Sequence, residues 1–287
     1  SYYFSPRPNA EEISTCYVGD YRHDFFRTHG KNISRGAALA QQFARGRESG
    51  RFLDVGCSIG SMLEGFRAAS GWDVSGTEFD AESVEHCRAK GLDVVRGLLY
   101  EVKDECGWTG AFDVVLANNV LEHDPDPRLF LEKVHALLKP GGVLLLNIPN
   151  GRVDAYPSIR LRALGYPEVT TNNEGHINFF SRGGIEALLR STGFTTESFE
   201  SFHVKMALKK RFLLPGSTRK NRKTCIDRLK RTPAPHQELA VLAARAAHAP
   251  TQLPSRAKDH RFPRLPKLSL PVFPLANDFR IVCRRTP

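Results

Sequence analysis

The residues best placed to do chemistry lie in FLDVGCSIGS, residues 52–61. A strand-like apolar run carries Asp54 near its end, and Gly56, Ser58 and Gly60 then form a tight turn into a helical pattern. Small residues at such a turn let the backbone approach a ligand, and the start of the helix offers free N–H groups. A dinucleotide fingerprint, Gly-x-Gly-x-x-Gly, would place its third glycine where Ser61 stands and would not ask for an acid two residues before the first glycine. The sequence departs from that pattern on both counts. The bland alternative is a plain strand-to-helix turn.

A second strand pattern ends in Glu78, where an acidic side chain can accept hydrogen bonds from both hydroxyls of a ribose, and Phe79 beside it can pack on a base. Taken alone, an acid after a strand is more often a solvated surface residue; its register with the glycine turn is what points to binding. Two histidines could move a proton near neutral pH. His123, in LEHDPDP, follows the fourth strand pattern, and His176 sits in TNNEGHINFF. Their structural alternatives are to hold a loop by hydrogen bonds, for His123, and to cap the helix that follows, for His176.

These residues need a scaffold, and the pattern supplies one. From Arg51 onward, strand-length runs at 51–56, 73–78, 93–97, 112–119 and 142–149 alternate with helical patterns near Ser61–Ala69, Ala81–Lys90 and Arg128–Leu138. That alternation predicts a parallel sheet covered by helices. The run Lys139-Pro140-Gly141-Gly142 reads as a helix stop and a turn. A sixth unit, FFSRGGIEALLRSTGF with a strand near TTESFES, follows, and a last strand pattern returns at 278–285 after a long detour. The expected fold is a Rossmann-like α/β domain with a seven-stranded, mostly parallel sheet, helices on both faces and the last strand antiparallel. Residues 1–50, helical near Ser34–Arg47, are expected to form an N-terminal cap or lid, and 51–202 with 275–287 the core.

Residues 203–274 are expected to be a basic, proline-rich insertion. The chain carries a net charge of +10, yet this stretch alone holds 17 Lys/Arg against three Asp/Glu, so the core is mildly acidic. The six cysteines (Cys16, Cys57, Cys87, Cys106, Cys225 and Cys283) show neither paired spacing nor a zinc pattern, which suggests free thiols. No run approaches the roughly 18 apolar residues of a membrane span, and no signal pattern opens the sequence. A soluble, cytoplasmic protein is expected.

The motifs LDVGCSIG, GTEFDAESVEHCRAKGLDVVRG, FDVVLANNVLEHDPDP, LLKPGGVLLLNIPN and GHINFFSRGGIEALLRSTGF, in this order across residues 51–200, resemble the class I S-adenosylmethionine-dependent methyltransferases. The likeness is greatest to the bacterial group near the ubiquinone-biosynthesis enzymes. It implies S-adenosylmethionine as cofactor, with Asp54, Gly56, Cys57, Ser58 and Gly60 around the methionine part and Glu78 with Phe79 around the adenosine. It also implies Leu98 near the adenine edge and Asn118 under the sulfonium. The commonest form of the first motif has glycine where this chain has Ser58. Some members of the group carry Glu-x-x-Glu-His and bind a divalent metal; Asn119 stands where the first glutamate would, so no metal is expected at Glu122 and His123.

The implied reaction is methyl transfer to a small-molecule acceptor, a hydroxyl oxygen in the group's usual habit, with His123 or His176 as the candidate base. The loop from Gly151 to Asn173, with Tyr156, Arg160, Arg162 and Tyr166, is a candidate for substrate specificity. The basic stretch could bring the chain to an anionic membrane surface or an acidic substrate. One rival reading is a nucleic-acid methyltransferase using that stretch, but the fourth strand is followed by no (Asp/Asn)-Pro-Pro-(Tyr/Phe) tetrapeptide, reading NNVL instead. The other rival is a noncatalytic homologue that only binds the cofactor.

Overall fold

A computed structural model describes residues 2–3, 21–102, 107–155, 176–203 and 278–286. The expected insertion beyond residue 203, and the four candidate specificity residues between Tyr156 and Tyr166, lie outside the described residues.

In chain order the elements are β1 (Tyr2–Tyr3), α1 (Tyr21–Phe43), β2 (Arg51–Val55), α2 (Ser61–Ser70), β3 (Asp73–Glu78), α3 (Ala81–Ala89), β4 (Asp93–Arg96), β5 (Phe112–Asn118), α4 (Pro127–Leu137), β6 (Leu138–Pro149), the single turn α5 (Gly151–Asp154), β7 (Asn178–Phe179), α6 (Arg182–Ser191), β8 (Phe194–Phe202) and β9 (Asp278–Arg285). Seven strands form one sheet in the order β4-β3-β2-β5-β6-β9-β8, and β1 pairs with β7 in a small ribbon. Strands β2 to β6 run parallel, while β9 inserts antiparallel between β6 and β8. The sheet therefore has the expected seven members with the last one reversed.

Successive side chains of a strand point to opposite faces, and both faces are apolar here. Leu53, Val55, Val115, Ala117, Leu144 and Leu146 pack with Phe130, Leu131 and Val134 of α4 and with Ile185 and Leu189 of α6. The alternate residues Phe52, Val114, Leu116, Val143 and Leu145 pack with Ala40 of α1, Leu63 and Phe66 of α2, and Val84 of α3. Helices thus cover both faces.

Two local differences from the sequence reading have physical causes. Helix α1 begins at Tyr21, earlier than expected, despite Gly30 and Gly36 within it. Its glycine lets it lie almost backbone to backbone on α2: a Cβ on Gly36 would come 2.2 Å from the Met62 carbonyl oxygen, and one on Gly65 would come 2.0 Å from that of Ile33. Close packing outweighs the weak helix propensity of glycine. Strand β6 begins at Leu138, because Leu138 already pairs with Phe112, and the Lys139–Gly142 turn is a bulge before the ladder resumes at Val114 and Val143.

Strand order reverses at β2: β3 and β4 lie to one side of it, β5 and β6 to the other. The crevice beyond the carboxyl ends of such strands is where open α/β sheets hold their ligands.

Candidate active site

A cavity of about 270 Å³ opens at that crevice. Of the nine residues expected around the cofactor, Asp54, Gly56, Cys57, Ser58, Glu78, Phe79, Leu98 and Asn118 line it, and Gly60 does not. Gly60 serves the turn instead. It caps α2 at φ 73°, with the space for a side chain taken up by Leu92 and Cys87. Thr77, Asp80, Asp124 and, from α1, Asn32, none of them singled out in the sequence, also line the cavity, and so does Asn119. Asp80 had a readable signal as the cap of α3, accepting from the Ser83 backbone. Asn32 had none, since only the crossing of α1 over α2 brings it there.

The turn after β2 is held by β3. Cys57 N–H donates to the Thr77 carbonyl at 2.9 Å, and Ser58 N–H donates to Glu78 Oε2 at 2.7 Å. Glu78 Oε1 also accepts from the N–H groups of Phe79 and Asp80, at 2.7 and 2.8 Å. The carboxylate expected to face a ribose thus also ties the glycine turn to the end of β3. Burial raises the Glu78 carboxyl above its usual range, against the pull of these three hydrogen bonds. Asp54 is 4% exposed, and burial first, then the nearby Glu78 charge, push its carboxyl up to about 8. Cys57 contributes no nucleophile: its thiol hydrogen-bonds with Cys87 and is buried, and both effects hold it protonated.

Ser58 adopts φ 52°, a left-handed conformation that costs a residue with a Cβ roughly 1–2 kcal/mol. Among the described residues its buried hydroxyl has no hydrogen-bond partner. Ser58→Gly is therefore expected to stabilise the ligand-free protein by about 0.5–1 kcal/mol, once the greater freedom of an unfolded glycine is subtracted. A higher urea midpoint at unchanged slope is the sign; a gain that shrinks at saturating cofactor would show that the hydroxyl bonds the ligand.

The fit to S-adenosylmethionine rests on that unpartnered hydroxyl, on a helix start without a side-chain cap, and on a buried and a half-buried carboxylate, Asp54 and Glu78, at the ends of adjacent strands. An acid beside the turn suits the cationic methionine part, and the exposed ring of Phe79 suits a base. Asn118 accepts from Asn147 Nδ2 at 2.9 Å, which fixes its amide at the floor of the cavity.

The two histidines come together. His123 lines the cavity from the 3₁₀ turn Leu121–His123 after β5. His176 is buried behind it, with the two ring centroids 4.7 Å apart. Nδ1 of His176 lies 2.6 Å from Asp154 Oδ2, a partner that no pattern in the sequence marks. Capping the next helix, the structural alternative for His176, belongs to Ser181, which accepts from Gly184 N–H. The segment carrying His176 is pinned to the turn carrying His123: Ile177 N–H donates to the Glu122 carbonyl at 2.9 Å, and Asn178 Nδ2 to that of Asp124 at 2.7 Å.

A second depression, about 290 Å³, lies at the amino ends of the strands among Arg47, Asp113, Lys139 and Arg284. Its cations are already matched, Arg47 and Lys139 by Asp113 and Arg284 by Glu197, so it offers no comparable constellation. Among the described residues, no helix is long and apolar enough to cross a membrane.

Comparison with known proteins agrees with this geometry. A family model described as a methyltransferase domain matches residues 21–198. The ubiquinone biosynthesis O-methyltransferase of Histophilus somni is 32% identical over 152 residues, 50% of this chain and 63% of that protein. That of Vibrio parahaemolyticus is 33% identical over 110 residues, 37% of this chain and 46% of the relative. The chain thus spans about half the length of the curated relatives it matches. Among solved structures, a SAM-dependent methyltransferase from Archaeoglobus fulgidus shares the fold with a TM-score of 0.53 at 17% identity, covering 93% of this chain and all of that one. Strand order, a glycine turn between buried Asp54 and half-buried Glu78, and a domain match over most of the described core lead to one assignment: the chain belongs to the class I S-adenosylmethionine-dependent methyltransferase family.

Proposed function

We propose that this protein transfers the methyl group of S-adenosylmethionine to a hydroxyl oxygen of a small molecule. The observation that carries the reading is that one cavity joins the acid-flanked glycine turn to His123, with the His176–Asp154 pair directly behind. The relatives' printed activity, O-methyl transfer, supports oxygen as the acceptor atom.

When bound, the cofactor supplies a methyl group on a cationic sulfur, so the leaving group is already activated. The chain must then position two reactants and take a proton. Asp54 and the turn at Gly56, Cys57 and Ser58 would hold the methionine part, while Gly60 shapes the turn. Glu78, Phe79 and Leu98 would hold the adenosine, and Asn118 would contact the sulfur end. His123 and His176 stand on the acceptor side. The Asp154 carboxylate fixes a proton on His176 Nδ1 and leaves Nε2 as the basic atom.

The test is transfer of radiolabelled methyl groups to a panel of phenols and catechols, with RNA as a separate acceptor. Label is expected in an O-methyl ether. Turnover should fall about 10²- to 10⁴-fold in the variant that removes the true base, His123→Ala or His176→Ala. Affinity for S-adenosylhomocysteine should stay unchanged in His176→Ala, because His176 does not line the cofactor cavity. Label in RNA, or in no acceptor at all, would overturn the reading, and full activity in both variants would remove the histidines from it.

A further inference from the structure

We infer that Asn147, on β6, is a positioning residue for the cofactor's charge: it holds the Asn118 amide so that the site prefers a sulfonium to a thioether. This role rests on the methyl-transfer reading of the site and extends it from Asn118, which lines the cavity, to Asn147 behind it, which does not.

Strands β5 and β6 run parallel with Asn118 beside Asn147, so the two side chains share one face of the sheet. Asn147 Nδ2 donates to Asn118 Oδ1 at 2.9 Å. The Asn147 carbonyl also accepts from Asn119 N–H at 2.9 Å, and Asn119 adopts φ 56°. Successive residues of a strand point to opposite faces. The left-handed turn at Asn119 ends that alternation, and Asn118 and Asn119 both line the cavity. One residue of β6 thus sets a side chain with its amide and the turn after it with its backbone.

Folding does not account for an asparagine at 147. Among the described residues its side chain makes one hydrogen bond, the one to Asn118, and its Oδ1 is buried without a partner. Leaving a buried acceptor unpaired costs at least as much as one neutral hydrogen bond returns. Leu145, two residues earlier on the same face, is apolar and buried, so a leucine at 147 would continue the run.

The cofactor's charge gives the residue a purpose. An amide oxygen carries two lone pairs; Asn147 takes one at Asn118 and fixes the plane of the amide, which leaves the other free. A sulfonium spreads positive charge over its sulfur and the carbons bound to it, and an oxygen beside it in a partly buried site attracts that charge. The thioether of S-adenosylhomocysteine is neutral and gains nothing. Without Asn147 the Asn118 amide can turn its NH₂ group to the same place, which repels a cation. Asn147 therefore strengthens binding of the methyl donor and not of the product. The sulfur loses its charge during transfer, so the effect falls on KM for the donor and spares kcat.

The experiment is calorimetric titration of the full chain, at one pH, with S-adenosylmethionine and separately with S-adenosylhomocysteine. Asn147→Leu is expected to lower the ratio of the two affinities by about 3- to 10-fold, with homocysteine binding unchanged and a urea midpoint no lower than before. Asn147→Ala should give the same fall without the bulk of leucine. Asn118→Ala should lower the ratio at least as far, and adding Asn147→Leu to it should lower it no further, as expected of a residue that acts through another. An unchanged ratio in Asn147→Leu and Asn147→Ala overturns the role, and so does a further fall in the double variant. Failure of the unmodified chain to bind either ligand would remove the methyl-transfer reading as well, whereas binding of both with an unchanged ratio removes this role alone.

Discussion

Glu78→Ala is expected to weaken binding of S-adenosylhomocysteine by about 5- to 150-fold, equivalent to the roughly 1–3 kcal/mol of hydrogen bonds to a charged group. Two losses combine. In the ligand-free protein the carboxylate takes three backbone N–H groups, from Ser58, Phe79 and Asp80. A carboxylate offers about four acceptor positions, so ribose hydroxyls must share its two oxygens with the turn. Removing it deletes the ribose acceptor and frees the turn that the methionine part rests on. Glu78→Gln keeps one acceptor oxygen and should fall between the two extremes. Calorimetric titration decides, and unchanged affinity in Glu78→Ala would put the ribose somewhere else.

The gathering of the carboxylates and the glycine turn at one crevice was legible because it is local. Asp54, the glycine turn and Glu78 sit at the ends of adjacent strands, so strand periodicity alone sets them in register, as the pairing of Val55 with Thr77 shows. The sheet was legible for the same reason: buried parallel strands read as apolar runs, and even the returning strand β9 announced itself. What the sequence hid is non-local. Asn32 reaches the cavity only because Gly36 and Gly65 let α1 cross α2 closely. Asp154 meets His176 across a segment of about 20 residues with no periodic signal, and a hydrogen-bond partner at that separation leaves no pattern in one sequence. Gly60, expected beside the ligand, caps α2 and does not line the ligand-free cavity, a difference the residue type hides because a glycine serves either purpose.

Affinity for S-adenosylmethionine is expected to rise with pH, by up to tenfold per unit, and to level off above about pH 8. The cause is Asp54, whose carboxyl burial and the Glu78 charge push up to about 8 in the ligand-free protein. At pH 7 that carboxyl is mostly protonated. The cofactor brings an ammonium and a sulfonium, and a cation beside the group favours its ionised form. Binding below pH 8 must therefore release close to one proton. The same raised value acts on folding in the opposite direction: between about 4 and 8 the native state holds a proton that the unfolded chain has lost, so ligand-free stability falls as pH rises. Calorimetry in two buffers of different ionisation enthalpy reads the proton release directly. Asp54→Asn should bind more weakly, with no release and a flat profile across this range. S-adenosylhomocysteine keeps the ammonium but lacks the sulfonium, so equal release with both ligands assigns the carboxylate to the amino group, and a smaller release with the homocysteine form assigns it to the sulfur. A pH-independent affinity in the unmodified protein would mean that Asp54 stays protonated beneath the bound cofactor, as a hydrogen-bond donor and not a counter-charge.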